Sequence, residues 1–160
     1  VRALGDALLN KMPETVQGIF TEYMKNSISI SETYARKPPK ENFYHGILLG
    51  ILSYKNEWRV SSNRESGEGF SDIVIETGDS ETGIVIEVKY TDEKKDLERD
   101  CRKALKQIRD KDYTQTLWQE GYKKMVQYGI SFHLKQCCVM EEETQRKRNR
   151  DGALNRYNLL

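Results

Sequence analysis

Three ionisable residues stand where the apolar pattern around them would not place a charge. Asp72 sits at the mouth of Phe70-Ser-Asp-Ile-Val-Ile75, and Glu87 and Lys89 interrupt Ile84-Val-Ile-Glu-Val-Lys-Tyr90. Both segments are rich in β-branched residues, and the Thr-Gly-Asp-Ser-Glu-Thr-Gly stretch between them reads as a hairpin connection. Residues two apart in a strand share a face, so Glu87 and Lys89 project together, and in a hairpin Asp72 can lie across from Glu87. Two carboxylates and an ammonium at one edge of a buried sheet are costly unless they are paired or bind a metal. Such oxygen ligands suit Mg²⁺ or Mn²⁺, which keep several waters and accept phosphate oxygens, and the backbone carbonyl of Val88 is a candidate further ligand. An ion of this kind activates water and offsets charge building on a phosphate, while Lys89 can hold that water or stabilise the pentavalent oxygens. The chemistry is phosphodiester hydrolysis. The plainer alternative is a cross-strand salt bridge at a sheet edge.

The elements that must position this set follow from the period of the apolar residues. Residues 2–25 carry Leu4, Leu8, Met12, Val16, Ile19, Phe20 and Tyr23 at helical spacing, with Pro13 dividing them into two short helices or a kinked one. A polar stretch over 26–40 reads as a loop, and a helix is expected from Glu41 to about Asn56. The period then changes to strands near 58–62, 71–76 and 83–90. Helical spacing returns over 92–111, where Leu97, Cys101, Leu105 and Ile108 form one stripe. A short helix over 113–120 and strands over 124–132 and 135–140 complete the order, and the charge run 141–150 reads as frayed or solvated. Strands followed by a helical crossover and further strands imply an α/β fold, a mixed sheet flanked by helices.

Composition sets outer limits. The 160 residues suit one domain with a real core, and 37% hydrophobic against 32% charged residues describes a globular chain. A formal net charge of +1 removes bulk basicity as an argument for nucleic-acid binding, so any phosphate-binding face must come from local clustering. Cys101, Cys137 and Cys138 lack metal-knuckle spacing and are expected to be reduced, which suits a cytoplasmic protein. Adjacent strand residues point to opposite faces, so Cys137 and Cys138 are not expected to line one site. No apolar run reaches membrane-spanning length. The chain starts inside what reads as a helix, as a piece of a longer protein would.

Asp72 followed by Glu87-Val-Lys89 after a short hairpin resembles the bipartite D…(D/E)xK signature of the PD-(D/E)XK nucleases. The likeness extends to Phe43-Tyr-His-Gly46, Ser62-Asn-Arg-Glu-Ser-Gly67, Ala104-Leu-Lys-Gln-Ile108 with Lys111 and Tyr113, and Tyr128-Gly-Ile-Ser-Phe132. In these it is similar to the branch found C-terminal to AAA-type ATPase-like regions in bacterial proteins. Ser71 stands where the family name has proline. The resemblance implies a restriction-endonuclease-like α-β-β-β-α-β core over residues 41–142, with a helical segment over 1–40 packed on it and a charged tail over 143–160. It also implies Mg²⁺ or Mn²⁺ as cofactor, nucleic acid (DNA above all) as partner, and an ATPase-like region of the same longer chain. Homo-oligomerisation stays open.

The same resemblance suggests His45 as a further metal ligand and Gln107 as a neighbour of the catalytic lysine, with Tyr113 close by. Glu41, one helical turn before His45, is the substitute ligand if His45 turns away. Gln107 shares a helix face with Lys103 and Lys111, which could contact phosphate or simply face solvent. Arg64, beside Glu65, could touch DNA or brace the site. The chain contains no Gly-x-Ser-x-Gly motif and no Cys–His pairing that its spacing supports. The leading function is therefore a metal-dependent nuclease domain. Its rival is a catalytically silent module of the same fold that binds nucleic acid or a partner.

Overall fold

A computed structural model describes residues 2–29, 39–62, 73–79, 81–111 and 114–145. Its centre is a five-stranded sheet of β1 (Arg59–Ser62), β2 (Ile73–Glu76), β3 (Thr82–Tyr90), β4 (Lys124–His133) and β5 (Gln136–Gln145), in the spatial order β1-β2-β3-β4-β5. Only β3 and β4 run parallel; the other neighbours are antiparallel. The parallel pair needs a long return, supplied by α4 (Leu97–Lys111) and α5 (Gln115–Gln119).

Strand alternation sends side chains to two cores. Ile84, Ile86, Val88 and Tyr90 of β3 pack with Ile73 and Ile75 against α1 (Arg2–Leu9), α2 (Pro13–Ser27) and α3 (Pro39–Leu52). Val85 points the other way, to Leu105 and Ile108 of α4 and Leu117 of α5. Nearly every residue of β3 is buried, as a strand covered on both faces must be. Glu87 and Lys89 share the parity of Val85 and so face the α4 side.

Specific contacts seat the helices. Tyr44 of α3 stacks on Phe132 with ring centroids 4.5 Å apart and on Tyr90 at 5.7 Å, and its hydroxyl donates to the Leu134 carbonyl at 2.7 Å. Burial pushes the Tyr44 hydroxyl well above its ordinary range, so it stays a donor. Tyr128 ties α1 to the sheet by donating to the Leu8 carbonyl at 2.7 Å. On the opposite layer α4 descends onto Gly129. A Cβ there would lie 2.4 Å from the Cys101 carbonyl oxygen, so only glycine permits this approach.

The expected α/β element order holds, with shifts at element ends. Helix α3 begins at Pro39, inside the stretch read as a loop, and ends at Leu52 rather than near 56. Residues 92–96 do not join α4: Glu93 is extended, and a 3₁₀ turn covers Lys94–Asp96. The charge run does not fray at Glu141, because β5 continues to Gln145 and two of its acids, Glu142 and Glu143, are paired. Glu143 meets Lys11 at 2.7 Å and Lys124 at 3.4 Å, and Glu142 meets Arg109 at 2.6 Å. A boundary at residue 142 would cut this strand. Among the described residues, no helix is long and apolar enough to cross a membrane.

Candidate active site

Glu87 is the unusual residue of β3: a carboxylate 2% exposed in the middle of a sheet. Lys89 Nζ donates to its Oε1 at 2.7 Å, as the shared strand face requires. Its Oε2 is buried and, among the described residues, has no hydrogen-bond partner. Half-satisfied buried carboxylates are expensive, and the deficit is a place for a cation. The orphaned oxygen and the oxygen-rich donor set fit Mg²⁺ or Mn²⁺. Among the described residues no cluster of three acidic, histidine or cysteine side chains forms a complete shell.

The backbone beside Glu87 adds a polar edge. Among the described residues, pairing with β2 stops at Ile86, opposite Ile73. The N–H of Thr91 donates toward β4, to the Phe132 carbonyl at 2.8 Å. The N–H of Tyr90 points the other way and is taken by Glu41 Oε1 at 3.3 Å. Peptide groups alternate along a strand, so Val88 presents its N–H and C=O on the same side as Tyr90, along the edge past Ile86. Glu41 therefore comes to the β3 edge, two residues beyond Val88.

His45 comes to the end of β1. It is 5% exposed, and its Nε2 lies 3.4 Å from Ser62 Oγ at the end of β1. Ser62 stands in register with Ile73, which stands in register with Ile86. His45 thus approaches the sheet from the α3 layer, one row short of Glu87 and on the face opposite its side chain.

Helix α4 divides into two flanks. Arg109 pairs with Glu142, and Arg102, Leu105 and Arg109 line a cleft with Val139 and Met140, so this flank looks to β5. The opposite flank carries Asp100, Ala104, Gln107 and Lys111 and is turned toward β3, the strand of Glu87 and Lys89. Gln107 is half-buried there, and Lys111 is exposed at the end of the helix. Asp72, Arg64 and Tyr113 lie outside the described residues.

Two charged residues at this end of the sheet were not singled out from the sequence. Lys40 lies 4.5 Å above the Tyr90 ring, 3.3 Å from its hydroxyl and 3.9 Å from Asp92. Asp100 is 9% exposed and receives Arg99 at 3.0 and 3.3 Å and Lys103 at 3.1 Å. Burial alone would raise the Asp100 carboxyl, but the bonds from Arg99 and Lys103 prevail and hold it below its ordinary value. A depressed folded pKa means stability that is present above the unfolded value of about 3.9 and is lost as pH falls through the folded one. Asp100→Ala is expected to cost about 1–3 kcal/mol at neutral pH, the scale of charge-assisted bonds lost from a buried site. That deficit should shrink in urea melts below about pH 4, where the unfolded chain takes up the proton first, and vanish once the folded carboxyl is protonated too.

A family model described as the PD-(D/E)XK nuclease superfamily matches residues 39–142, from the start of α3 into β5. No curated protein matches the chain. Among solved structures, one described as "Crystal structure of SSO0001" is 17% identical with a TM-score of 0.36, over 78% of this chain. The aligned part is 61% of that structure's chain. The family match covers well over half of the sequence, and the chain belongs to the PD-(D/E)XK nuclease superfamily. The mixed sheet with helices on both faces is its restriction-endonuclease-like fold.

Proposed function

We propose that this superfamily member is a nuclease domain hydrolysing phosphodiester bonds in DNA, dependent on Mg²⁺ or Mn²⁺ held at Glu87. The observation that supports it most is the Glu87 carboxylate: buried, half-satisfied, and beside both a lysine and a polar strand edge. A salt bridge alone would satisfy one oxygen and leave the other at a cost. Ile73 is in register with Ile86, and the hairpin pairing expected from the sequence would set Asp72, the residue before it, across from Glu87. Asp72, Glu87 and the Val88 carbonyl would hold the ion, with Glu41 as the acid nearest that edge. His45, beside Ser62, is the further candidate for the shell, with Glu41 as its substitute.

When bound, the ion would lower the pKa of a water and draw off charge from the phosphate oxygens. The chain's own residues supply the rest. Lys89 leaves Glu87 to bind a phosphate oxygen or the attacking water, and its fixed position saves reorganisation as charge develops. Gln107, on the β3-facing flank of α4, holds the Lys89 ammonium or a neighbouring phosphate. Lys111, Tyr113 and Arg64 contact the backbone of the nucleic acid. An ATPase-like region in the longer chain would govern access of DNA to this edge.

Calorimetric titration with Mn²⁺ tests the metal site without relying on cleavage. The wild type should bind an ion, and Glu87→Gln, which keeps the shape but removes the charge, should weaken binding by at least about tenfold. Equal affinity in both proteins would place the ion, if any, elsewhere. A silent binding module of the same fold would show metal-independent DNA binding and no cleavage by the full-length protein.

A further inference from the structure

Two of the three cysteines meet where α4 crosses the sheet. Because Gly129 lets α4 descend, the Cys101 thiol lies 3.0 Å from the Gly129 carbonyl and 3.4 Å from the carbonyl of Cys138 on β5. The Cys138 side chain shares the face of Met140 and Glu142, which pack against α4, the helix that carries Cys101. Cys101 is 0% exposed, whereas Cys138 is half-buried and borders an open cleft of about 860 Å³ with Lys94, Lys95, Glu98 and Cys137. Cys137 and Cys138 border the same cleft, although adjacent strand residues point to opposite faces. The Cys137 thiol is engaged on the α2 side, 3.5 Å from Thr21 Oγ1 and 3.6 Å from the Gln17 carbonyl.

We propose that Cys138 and Cys101 are a peroxide-reactive pair that closes to a disulfide between β5 and α4. Cys138 attacks because it alone of the two meets the cleft. Its sulfur takes one peroxide oxygen, the O–O bond breaks, and the departing hydroxide gains the thiol proton to leave as water. Cys101 then attacks the resulting sulfenic sulfur, the S–O bond breaks, and the hydroxyl leaves with the Cys101 proton as a second water. Two thiols are oxidised and one peroxide is reduced to two waters, with no further reagent. Burial raises both thiols above their ordinary values, which slows each as a nucleophile, and the less buried Cys138 less than Cys101, so Cys138 is the first of the two to react. The bond would clamp the helix that carries Asp100 and Gln107 onto β5.

The test is intact-mass and non-reducing peptide mapping of the full chain after hydrogen peroxide, which needs no cleavage assay. The wild type should lose two hydrogens and two of its three free thiols, yield a Cys101–Cys138 cross-linked peptide, and revert with dithiothreitol. Cys137→Ala should behave as the wild type. Cys101→Ala, with no resolving thiol, should instead gain oxygens at Cys138. Three results on wild type would overturn the proposal: two or three oxygens added at Cys138 without a cross-link, a bond between Cys137 and Cys138, or an unmodified Cys138.

Discussion

Lys89→Ala is expected to reduce DNA cleavage by roughly 10²–10³-fold, the scale of losing one preorganised contact to developing charge. The same variant should bind Mn²⁺ about as well as the wild type, because Lys89 occupies one Glu87 oxygen and leaves the other buried and unpartnered. Removing the ammonium should even ease ion entry. The split between rate and metal affinity distinguishes a transition-state role from a structural ion pair. A structural pair would show its loss as lower stability, with the cleavage rate per folded molecule unchanged. Single-turnover cleavage and Mn²⁺ titration on the same preparation separate the two.

The largest stability effect is expected at Gly129, not at the active centre. Its added Cβ would meet the Cys101 carbonyl at 2.4 Å and the Leu105 backbone nitrogen at 3.1 Å, neither of which can swing aside. Gly129→Val should cost at least about 3 kcal/mol, since α4 must lift off the sheet, and that is a large part of a domain's usual stability. Gly18 in α2 supplies the contrast: a Cβ there meets nothing within 4 Å. Gly18→Ala should gain about 0.5–1 kcal/mol from helix propensity. Urea melts of both variants check the pair, and a tolerated Gly129→Val would contradict the close seating of α4.

The sequence displayed the central strands because their signal is local. Ile84, Val85, Ile86 and Val88 are apolar on both faces, and Glu87 and Lys89 stand out against them within one segment. The Glu87–Lys89 pair could be read from spacing alone, since residues two apart meet on one face. What was misread depends on distant partners. Glu141-Glu-Glu143 looked solvated because Lys11, Arg109 and Lys124, which neutralise its end, come from α1, α4 and β4. Asp100 lay hidden in a charged helix, though an acid four residues before Ala104 falls inside the buried arc. Lys40 falls at the end of a polar stretch that reads as a loop, whereas Pro39 opens α3, where proline is tolerated. Helical spacing could place His45 and Glu41 one turn apart, but not show that one meets Ser62 and the other Tyr90.

Asp72 and Glu87 are proposed to hold together the divalent ion that enables DNA hydrolysis. Cleavage of duplex, single-stranded and branched DNA by the full-length protein and its Asp72→Asn variant, in Mn²⁺ and in chelator, tests it most directly. The wild type should cleave in Mn²⁺ and not in chelator, with a loss of about 10²-fold or more in Asp72→Asn. Cleavage that persists undiminished in Asp72→Asn would contradict it.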